Sequence, residues 1–564
     1  MTDPADRDGD GSPAPEDDGP SGGPARRETL MGRVRDRDRP WDVLVIGGGA
    51  TGAGTALEAA SRGYDTLLLE RGDFGQGTSS RSTKLVHGGV RYLQQGRLGL
   101  VFEALRERSR LLRNAPHVVH DRTFLVPAYE WWERPWYGLG LKVYDLLSGR
   151  HNLAPSRLLS RRSAADRVPN LERRRLRGGV LYHDGQFDDA RLVITLVRSL
   201  VDAGGTPLNY VEVEDLLVGE GEGGDGADGL GGRVRGVTAR DRETGRELAL
   251  RARAVINATG PYADSIRRLE DPGVESVIRP SRGTHLVFDR DVLGGDTALM
   301  VPRTSDGRVV FAIPWHHRVL VGTTDVPVDR VPERPRPDPE EVDYLLEHLD
   351  PYLTDPPEAG DVRSVFAGIR PLVGAGGESD TAELSRAHEI LVSDAGLVTV
   401  VGGKWTTYRE MGEDAVDRAV EETGLPERES VTRDLRLRGA GGDGAAGTPW
   451  RVYGSDAPRV RALAEDSGLG ERLHPRLPFR AAQVAWAARH ELARTVEDVL
   501  ARRTPSLFLD ARAAAEAAPL AARILARELG RDEDWIGEQT ARFRELAGDY
   551  LPRNELAPGV RGRT

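Results

Sequence analysis

The hydrophobic positions of this chain follow two periods, and each change of period marks a predicted element. Apolar, β-branched runs of strand length lie at residues 42–46, 66–69, 208–217, 233–238, 253–258 and 397–401. Alternating runs that favour an antiparallel sheet lie between 280 and 325 and include HLVFD, VVFAI and RVLVGTT. Helical spacing of apolar residues predicts helices at 53–61, 97–113, 188–203 and 339–348, with Asp188 as a cap. These patterns predict an α/β protein with a second, antiparallel sheet.

The rest of the chain is predicted to consist of loops and a helical end. Residues 123–182 mix arginine, proline and aromatic residues, which suggests an irregular insertion. The glycine-rich stretch 219–232 is a flexible loop, and 425–446 has the composition of a linker. Helical patterns at 479–503 and 511–528 then predict a small helical C-terminal domain.

The strand at 42–46 leads into glycines with the G-x-G-x-x-G spacing of a dinucleotide-binding turn. Gly47 and Gly49 allow a tight turn close to a pyrophosphate, and Gly52 lets the following helix pack closely on the strand. That helix directs its N-terminal N–H groups at the phosphates. Glu70 ends the next strand, where a carboxylate can bind ribose hydroxyls and would repel a 2′-phosphate. The sequence therefore predicts a dinucleotide site, whose position near the N-terminus suits FAD without excluding NAD.

Two more buried strands end in turns that contain glycine. One turn is Ala258-Thr259-Gly260, and the other is Gly402-Gly403-Lys404. Because the three turns come from distant parts of the chain, they can meet at one cofactor only if insertions interrupt the dinucleotide domain. This arrangement is typical of flavoproteins with two dinucleotide-binding folds.

Composition and charge argue against several classes of function. The 564 residues suggest two or three domains, and a net charge of −11 argues against a nucleic-acid partner. No apolar run reaches the length of a transmembrane helix, and the N-terminus lacks the apolar segment of a secretory signal. Residues 1–25 hold seven acidic residues and one arginine, so we expect a disordered acidic tail. The absence of cysteine excludes disulfides, cysteine-ligated metals and a cysteinyl-flavin bond within this chain.

Lysine is nearly absent, which draws attention to the few that remain. Only Lys84, Lys142 and Lys404 are lysines, and all other basic residues among the 78 are arginines. Lys84 and Lys404 lie in glycine-containing motifs, where a compact ammonium and a planar guanidinium are not interchangeable. We therefore treat both as candidate functional residues.

Eight motifs in order resemble the FAD-dependent glycerol-3-phosphate dehydrogenases of the respiratory, aerobic type. They are IGGGATGAGTALEAASRG, TSSRSTKLVHGGVRYL, DDARL, NATGPYAD, GTHLVF, IPWHHRVLVGTTD, AGIRPLV and GGKWTTYRE. The stretch RHELARTVEDVLARRTPSLFLD is similar to the family's C-terminal domain, so the resemblance covers residues 41 to about 555. The acidic tail and the glycine-rich loop depart from the family pattern, but neither lies in a motif.

The resemblance implies a Rossmann-type FAD domain that an antiparallel-sheet substrate domain interrupts, followed by a small helical domain. We expect the tail to span 1–40 and the helical domain to span 447–560. The FAD domain is expected within 41–425, in the segments 41–125, 183–280 and 360–425. The substrate domain is expected at about 126–182 and 281–359.

The resemblance also implies the reaction and its partners. It implies oxidation of sn-glycerol 3-phosphate to dihydroxyacetone phosphate, with hydride transfer to FAD and electrons passed to membrane quinone. The expected location is cytoplasmic and peripheral on the inner face of the cell membrane, and a homodimer is left open. The segment EWWERPWYGLGLKVYDLL at 130–147 has the composition of a segment that lies in a lipid interface, although ordinary packing of an insertion explains it equally well.

The cofactor residues implied by the resemblance extend the dinucleotide motif. Gly47, Gly49 and Gly52 would hold the pyrophosphate, and Glu70 would hold the adenosine ribose. The further cofactor-binding residues expected are Arg71, Thr78, Ser79, Ser80, Ser82, Lys84, His87, Gly88, Val213, Ala258, Gly260, Gly403 and Thr406. A helix N-terminus and an ammonium near the flavin ring would favour its anionic reduced form.

Oxidation of a secondary alcohol needs a base that takes the hydroxyl proton. The phosphate of the implied substrate also needs cations that bind it. By family likeness, Arg91, Tyr92, Arg386 and Lys404 would contact the substrate, mainly at its phosphate. His285 and Arg370 would face the hydroxyls. We assign His285 as general base because imidazole titrates near the operating pH, and Arg370 as the group that stabilises the developing alkoxide.

Other assignments remain open from the sequence. His87 lies in a glycine-flanked turn and is a second candidate for a catalytic role, whereas His316-His317 is interpreted as a hairpin turn without a metal. The electron acceptor could be oxygen, as in a glycerol-3-phosphate oxidase. An amine or amino-acid oxidase of the same fold and a non-catalytic flavin-binding protein are the remaining alternatives.

Overall fold

A computed structural model describes residues 24–89, 98–219, 232–374, 387–442 and 447–552. Its strands are β1 (Trp41–Ile46), β2 (Thr66–Leu69), β3 (Leu85–Val86), β4 (Val119–Ala128), β5 (Arg157–Leu159), β6 (Gly178–Phe187), β7 (Thr206–Leu208), β8 (Val211–Gly219), β9 (Arg233–Asp241), β10 (Glu247–Asn257), β11 (Ile278–Asp289), β12 (Ala298–Val301), β13 (Val310–Trp315), β14 (Arg318–Gly322), β15 (Val326–Pro327), β16 (Ser364–Val373), β17 (His388–Val392) and β18 (Val398–Gly402). Its α-helices are α1 (Pro24–Arg35), α2 (Ala50–Ser61), α3 (Leu98–Asn114), α4 (Glu133–Ser148), α5 (Arg161–Arg167), α6 (Asp189–Asp202), α7 (Ala263–Glu270), α8 (Pro339–Leu349), α9 (Tyr408–Thr423), α10 (Ala457–Asp466), α11 (Ala481–His490), α12 (Ser506–Leu509), α13 (Ala511–Leu529) and α14 (Glu533–Gly548).

The first sheet has the dinucleotide motif at its centre. Its main path runs β17-β18-β10-β1-β2-β7, and β9 and β8 extend it from β10. Strand β1 pairs in parallel with β10 and β2, and β10 pairs in parallel with β18. Helices α2, α6 and α9 bury apolar residues against this sheet. The carboxyl ends of β1, β10 and β18 therefore lie side by side, which brings the three glycine-containing turns together as the sequence predicts.

The second sheet covers one side of the turns and is the predicted substrate-domain sheet. Its path runs β15-β11-β14-β13-β12-β4-β6-β3, with β16 on β11 and β5 on β6. The pairings along residues 278–373 are antiparallel, as the alternating runs predict. The β12–β4 pairing is parallel, so the sheet as a whole is mixed.

The C-terminal helices form a domain with its own apolar core, as predicted. Helices α11, α13 and α14 supply most of that core, which also includes Phe366 of β16 and Val287 of β11. The predicted continuous helix at 479–503 is two elements, because α11 ends at His490 and a π-helical turn spans Asp498–Arg503. The C-terminal domain thus packs directly on the second sheet.

Several predicted boundaries are wrong. Residues 123–182 are not irregular, because they contain α4, β5 and α5 together with the second half of β4 and the first half of β6. Strand β16 pairs with β11 over ten positions, so the second sheet takes in a segment that we expected in the FAD domain. Part of the expected tail is helix α1, which Arg27 anchors through a buried ion pair with Asp241. Residues 1–23 and 220–231 lie outside the described residues.

Candidate active site

A long cavity of about 410 Å³ lies at the carboxyl edge of the first sheet, and the glycines of the β1–α2 turn line it. Gly47 has a φ of +105°, and a Cβ there would lie 2.7 Å from the carbonyl oxygen of Ala258. A Cβ on Gly52 would lie 1.7 Å from the carbonyl oxygen of Gly47. These positions accept only glycine, because the turn must pass close to β10 and α2 must pack on the turn. We call this space the first cavity.

Glu70 lies in the wall of the first cavity at the end of β2. Its carboxylate accepts hydrogen bonds from the backbone N–H groups of Gly48 (2.7 Å) and Gly72 (2.8 Å). Burial raises the pKa of the Glu70 carboxyl, although the two N–H groups oppose this shift. The carboxylate is therefore fixed in orientation, as a group that binds two ribose hydroxyls must be.

Most of the predicted cofactor-binding residues line one of two cavities. Those in the first cavity are Gly47, Gly49, Glu70, Arg71, Thr78, Ser79, Val213, Ala258, Gly260 and Gly403. The Ser79 hydroxyl accepts a hydrogen bond from Ala50 N (2.9 Å) at the N-terminus of α2. The Arg71 guanidinium lies 4.2 Å from the ring of Tyr262, which forms another part of the wall. The first cavity thus has the glycine turn, the helix terminus and the polar groups that a dinucleotide requires.

A second cavity of about 320 Å³ lies between the two sheets and continues the first. Thr78, Arg81, Gly403, Lys404 and Trp405 line both cavities. The predicted residues that line the second cavity but not the first are Ser82, His87, His285, Arg370 and Thr406. The structure therefore brings the assigned base and the assigned alkoxide-binding arginine together at one end of the dinucleotide site.

His285 lies in the wall of the second cavity on β11 and is almost entirely buried, with 2% of its surface exposed. Its ring stacks on Phe366 with the centroids 4.9 Å apart, and its Nε2 lies 2.9 Å from the hydroxyl of Thr83. Burial lowers the pKa of His285 well below 6.5, and the cations of Arg370 and Lys84 lower it further. This environment disfavours the imidazolium form of His285 in the resting enzyme, whereas the sequence-based assignment expected an imidazole that titrates near the operating pH.

Within the described part of the chain, three groups accept hydrogen bonds from Arg370 in the second cavity. Its guanidinium donates to Asp325 Oδ1 (3.1 Å), to the Thr323 hydroxyl (3.0 Å) and to the carbonyl oxygen of Thr324 (3.0 Å). Asp325 also accepts a hydrogen bond from the buried Ser281 hydroxyl. A guanidinium anchored in this way is preorganised to stabilise a negative oxygen.

The second cavity contains two cations that the sequence did not single out. Arg81 lies where the cavities meet and donates to the Tyr550 hydroxyl (3.1 Å). Arg308 bonds the backbone carbonyl of Asp325. Nothing in the sequence distinguishes Arg308 from the many other arginines. The signal was available only at Arg81, which lies inside the motif TSSRSTK.

Four predicted cofactor residues, Gly52, Ser80, Lys84 and Gly88, do not line either cavity. Lys84 is 1% exposed, and its ammonium is held by the Asp189 carboxylate and by the carbonyl oxygen of Ser80 (2.7 Å). The Ser80 side chain is also buried. The N–H group of Gly88 donates a hydrogen bond to the Tyr144 hydroxyl (3.0 Å). The expectation that Lys84 lies along the cofactor is wrong, because its ammonium forms an ion pair with Asp189 inside the protein and lines neither cavity. Three predicted substrate-binding residues, Arg91, Tyr92 and Arg386, lie outside the described residues.

His316 and His317 form the turn between β13 and β14, as predicted. His316 Nε2 lies 3.2 Å from Asp188 Oδ2, an acidic partner that is distant in sequence. His317 contacts the carbonyl oxygen of Arg476 (3.1 Å). Among the described residues, no group of three or more His, Asp or Glu side chains is arranged to hold a metal ion.

Comparison with known proteins identifies the family. Residues 42–409 match the FAD dependent oxidoreductase family, and residues 430–535 match the C-terminal domain of alpha-glycerophosphate oxidase. The mitochondrial glycerol-3-phosphate dehydrogenase of Homo sapiens is 40% identical over 568 residues, which cover 94% of this chain and 77% of the human protein. The chain belongs to the FAD-dependent glycerol-3-phosphate dehydrogenase family. The predicted cofactor, FAD, is confirmed by this membership.

Other relatives support the same assignment and the fold. A mitochondrial glycerol-3-phosphate dehydrogenase of Arabidopsis thaliana is 41% identical over 549 residues, which cover 90% of this chain and 86% of the plant protein. The crystal structure of a glycerol-3-phosphate dehydrogenase from Bacillus halodurans complexed with FAD matches with a TM-score of 0.74 at 29% identity, covering 94% of this chain and 99% of that chain. The L-α-glycerophosphate oxidase from Mycoplasma pneumoniae shares the fold at 18% identity, with a TM-score of 0.52 over 71% of this chain and 98% of that chain.

Proposed function

We propose that this enzyme oxidises sn-glycerol 3-phosphate to dihydroxyacetone phosphate. The observation that carries the proposal is the joint position of His285 and Arg370 in a cation-rich cavity that continues the dinucleotide cavity. Of the acidic side chains in the second cavity, Asp325 is paired with Arg370 and Asp184 is paired with Arg108 (2.8 Å). The cavity therefore favours a phosphorylated alcohol over an amino acid, whose recognition needs a single cation for the carboxylate.

The cofactor residues proposed for FAD follow from the first cavity. The turn with Gly47, Gly49 and Gly52 and the N-terminus of α2 hold the pyrophosphate, and Glu70 binds the adenosine ribose. Thr78 and Ser79 follow the chain of the cofactor towards Gly403 and Thr406. Bound FAD supplies a two-electron acceptor next to the second cavity.

The residues of the second cavity bind the substrate and remove its proton. We place the phosphate at the cations Lys404, Arg81 and Arg308, together with Arg91, Tyr92 and Arg386 of the motifs. The C2 hydroxyl then faces His285 and Arg370. Arg370 stabilises the negative charge that develops on the oxygen, and His285 receives the hydroxyl proton.

The acceptor of the electrons is proposed to be membrane quinone. Helix α4 and the residues before it expose a set of large apolar side chains: Trp131 (74% exposed), Trp132, Trp136 (62%), Leu139, Val143 and Leu146 (79%). Lys142 and Arg157 are exposed on α4 and the adjacent β5. Among the described residues, no helix is long and apolar enough to cross a bilayer. A peripheral attachment through this face, which we call the aromatic face, accounts for both observations.

Steady-state turnover of the FAD-loaded protein tests the activity and the acceptor together. With a short-chain ubiquinone analogue in detergent, we expect turnover with sn-glycerol 3-phosphate and none with glycerol, glycine or proline. Rapid formation of hydrogen peroxide in air, with no gain from quinone, would favour the oxidase instead. Turnover with an amino acid but not with glycerol 3-phosphate would overturn the substrate assignment.

A further inference from the structure

The environment of His285 leaves one edge of its ring for proton exchange. One face of the ring stacks on Phe366. Gly322 lies so close on the neighbouring strand that a Cβ there would lie 2.2 Å from Cδ2 of His285. The Nδ1 atom is buried, and none of the described residues forms a hydrogen bond with it. A proton from the cavity can therefore reach the imidazole only at Nε2.

The only hydrogen-bond partner that the described residues supply to this Nε2 atom is the hydroxyl of Thr83, at 2.9 Å. Thr83 lies in the loop between the turn Thr78–Ser80 and β3, and it is half-buried in the wall of the second cavity. The residues on both sides of it are anchored, because Ser82 and Lys84 both bond the Asp189 carboxylate. The Thr83 hydroxyl is therefore fixed between the ring nitrogen and the space where the substrate binds.

The chemistry of a hydroxyl group suits this position. A threonine hydroxyl has one proton to donate and lone pairs that accept. In the neutral tautomer that carries its proton on Nδ1, Nε2 of His285 can accept the Thr83 proton while the Thr83 oxygen accepts the hydrogen of a substrate hydroxyl. The three groups then form a chain from the substrate to the imidazole.

We propose that Thr83 relays the proton of the substrate C2 hydroxyl to His285, an inference that rests on the proposed function. As the C2 hydride leaves with its electron pair for the flavin, the electrons of the O–H bond form the carbonyl. The hydroxyl proton passes to Thr83 Oγ1, and the original Thr83 proton passes to His285 Nε2. Thr83 ends as a neutral hydroxyl, and His285 ends as an imidazolium that later returns the proton to solvent.

Replacement of Thr83 tests the relay in the FAD-loaded enzyme. The measured quantity is the rate of flavin reduction at saturating sn-glycerol 3-phosphate, in H2O and in D2O. Thr83→Val keeps the shape and removes the hydroxyl, so the rate should fall by about 100-fold or more. Thr83→Ser keeps the hydroxyl and should stay within about fivefold of the parent. Thr83→Gly leaves room for a water molecule and should be faster than Thr83→Val.

A matched control removes a hydroxyl far from the cavities. Thr423 bonds only the backbone of its own helix, so Thr423→Val should reduce at the parental rate. A merely structural role for Thr83 predicts that Val and Gly variants are equally slow and that the D2O effect is unchanged, which would overturn the relay. A rate of flavin reduction in Thr83→Val that lies within threefold of the parental rate would also overturn the relay. If the parent enzyme itself is not reduced by glycerol 3-phosphate, the proposed function fails, and the relay fails with it.

Discussion

The ammonium of Lys84 lies 2.7 Å from Oδ1 of Asp189, and both side chains are 1% exposed. This ion pair joins the loop that follows Thr78–Ser80 to the first turn of α6. The Ser82 hydroxyl donates to the same carboxylate (2.7 Å), and the ring of Trp315 lies 5.0 Å from the ammonium. The ion pair therefore holds the loop whose residues Ser82 and Thr83 line the second cavity. Lys84 and Asp189 do not line the cavity themselves.

Removing the Lys84 charge should destabilise the enzyme strongly. Lys84→Met leaves Asp189 buried and unpaired, which should lower the free energy of unfolding by about 3–5 kcal/mol. Lys142→Met is the matched control, because Lys142 is more than half exposed and its loss should change that free energy by less than about 1 kcal/mol. Urea unfolding of the FAD-loaded proteins measures both. Equal losses in the two variants would show that the buried pair does not support the loop.

His285 should stay neutral across the working pH range. Burial and the neighbouring Arg370 lower its pKa, so in the resting enzyme without substrate the imidazole takes up a proton from solvent only well below pH 6.5. His388 is the internal control, because its hydrogen bond with Asp414 raises its pKa. In NMR spectra of histidine-labelled enzyme, the His388 ring signal should titrate above pH 6.5. The His285 signal, assigned with His285→Gln, should not move between pH 8 and 6, and a midpoint near 6.5 would contradict this account.

Arg370 should affect the chemical step more than cofactor binding. Arg370→Lys loses the bidentate geometry that Asp325 and Thr323 fix, so the limiting rate of flavin reduction should fall by about 100- to 1,000-fold. The FAD content and visible spectrum should be unchanged. Arg334→Lys, at a half-exposed surface ion pair, is the control and should reduce at the parental rate. A purely structural role would instead predict loss of FAD together with loss of activity.

The aromatic face should govern attachment to lipid. Replacing Trp131, Trp136 and Leu146 with serine removes three of the four most exposed apolar side chains of α4 and its N-terminal flank. The triple variant should no longer float with liposomes that contain anionic lipid, while its flavin reduction by substrate is unchanged. Val431→Ser removes an exposed apolar side chain elsewhere and should float like the parent. Flotation of the triple variant at the parental level would exclude this face as the attachment site.

Sequence patterns predicted the first sheet better than the second. Strand β2 is observed at the predicted residues, and Asp188 caps α6 as expected, since its side chain accepts from Arg191 N. The glycine spacing works because sterics at Gly47 and Gly52 leave no alternative residue. These features depend on contacts close in sequence or on one fixed turn geometry.

The insertion and the lysines show where such patterns fail. In β6 and in residues 124–128 of β4, side chains on both faces are buried, so the period-2 pattern is masked and the segment resembled a loop. Lys84 and Lys404 have similar glycine-containing surroundings in the sequence, but only Lys404 lines the cavities. The two lysines differ because Asp189 holds the Lys84 ammonium inside the protein. Asp189 is 105 positions away from Lys84, so this pairing is not visible in either motif.

The most direct test of the central claim is anaerobic mixing of the FAD-loaded enzyme with sn-glycerol 3-phosphate. The flavin absorbance near 450 nm reports the reductive half-reaction without any acceptor. This account predicts that the band bleaches with glycerol 3-phosphate and persists with glycerol and with amino acids. A flavin-loaded enzyme whose band persists with glycerol 3-phosphate would contradict the assignment of substrate and of the second cavity.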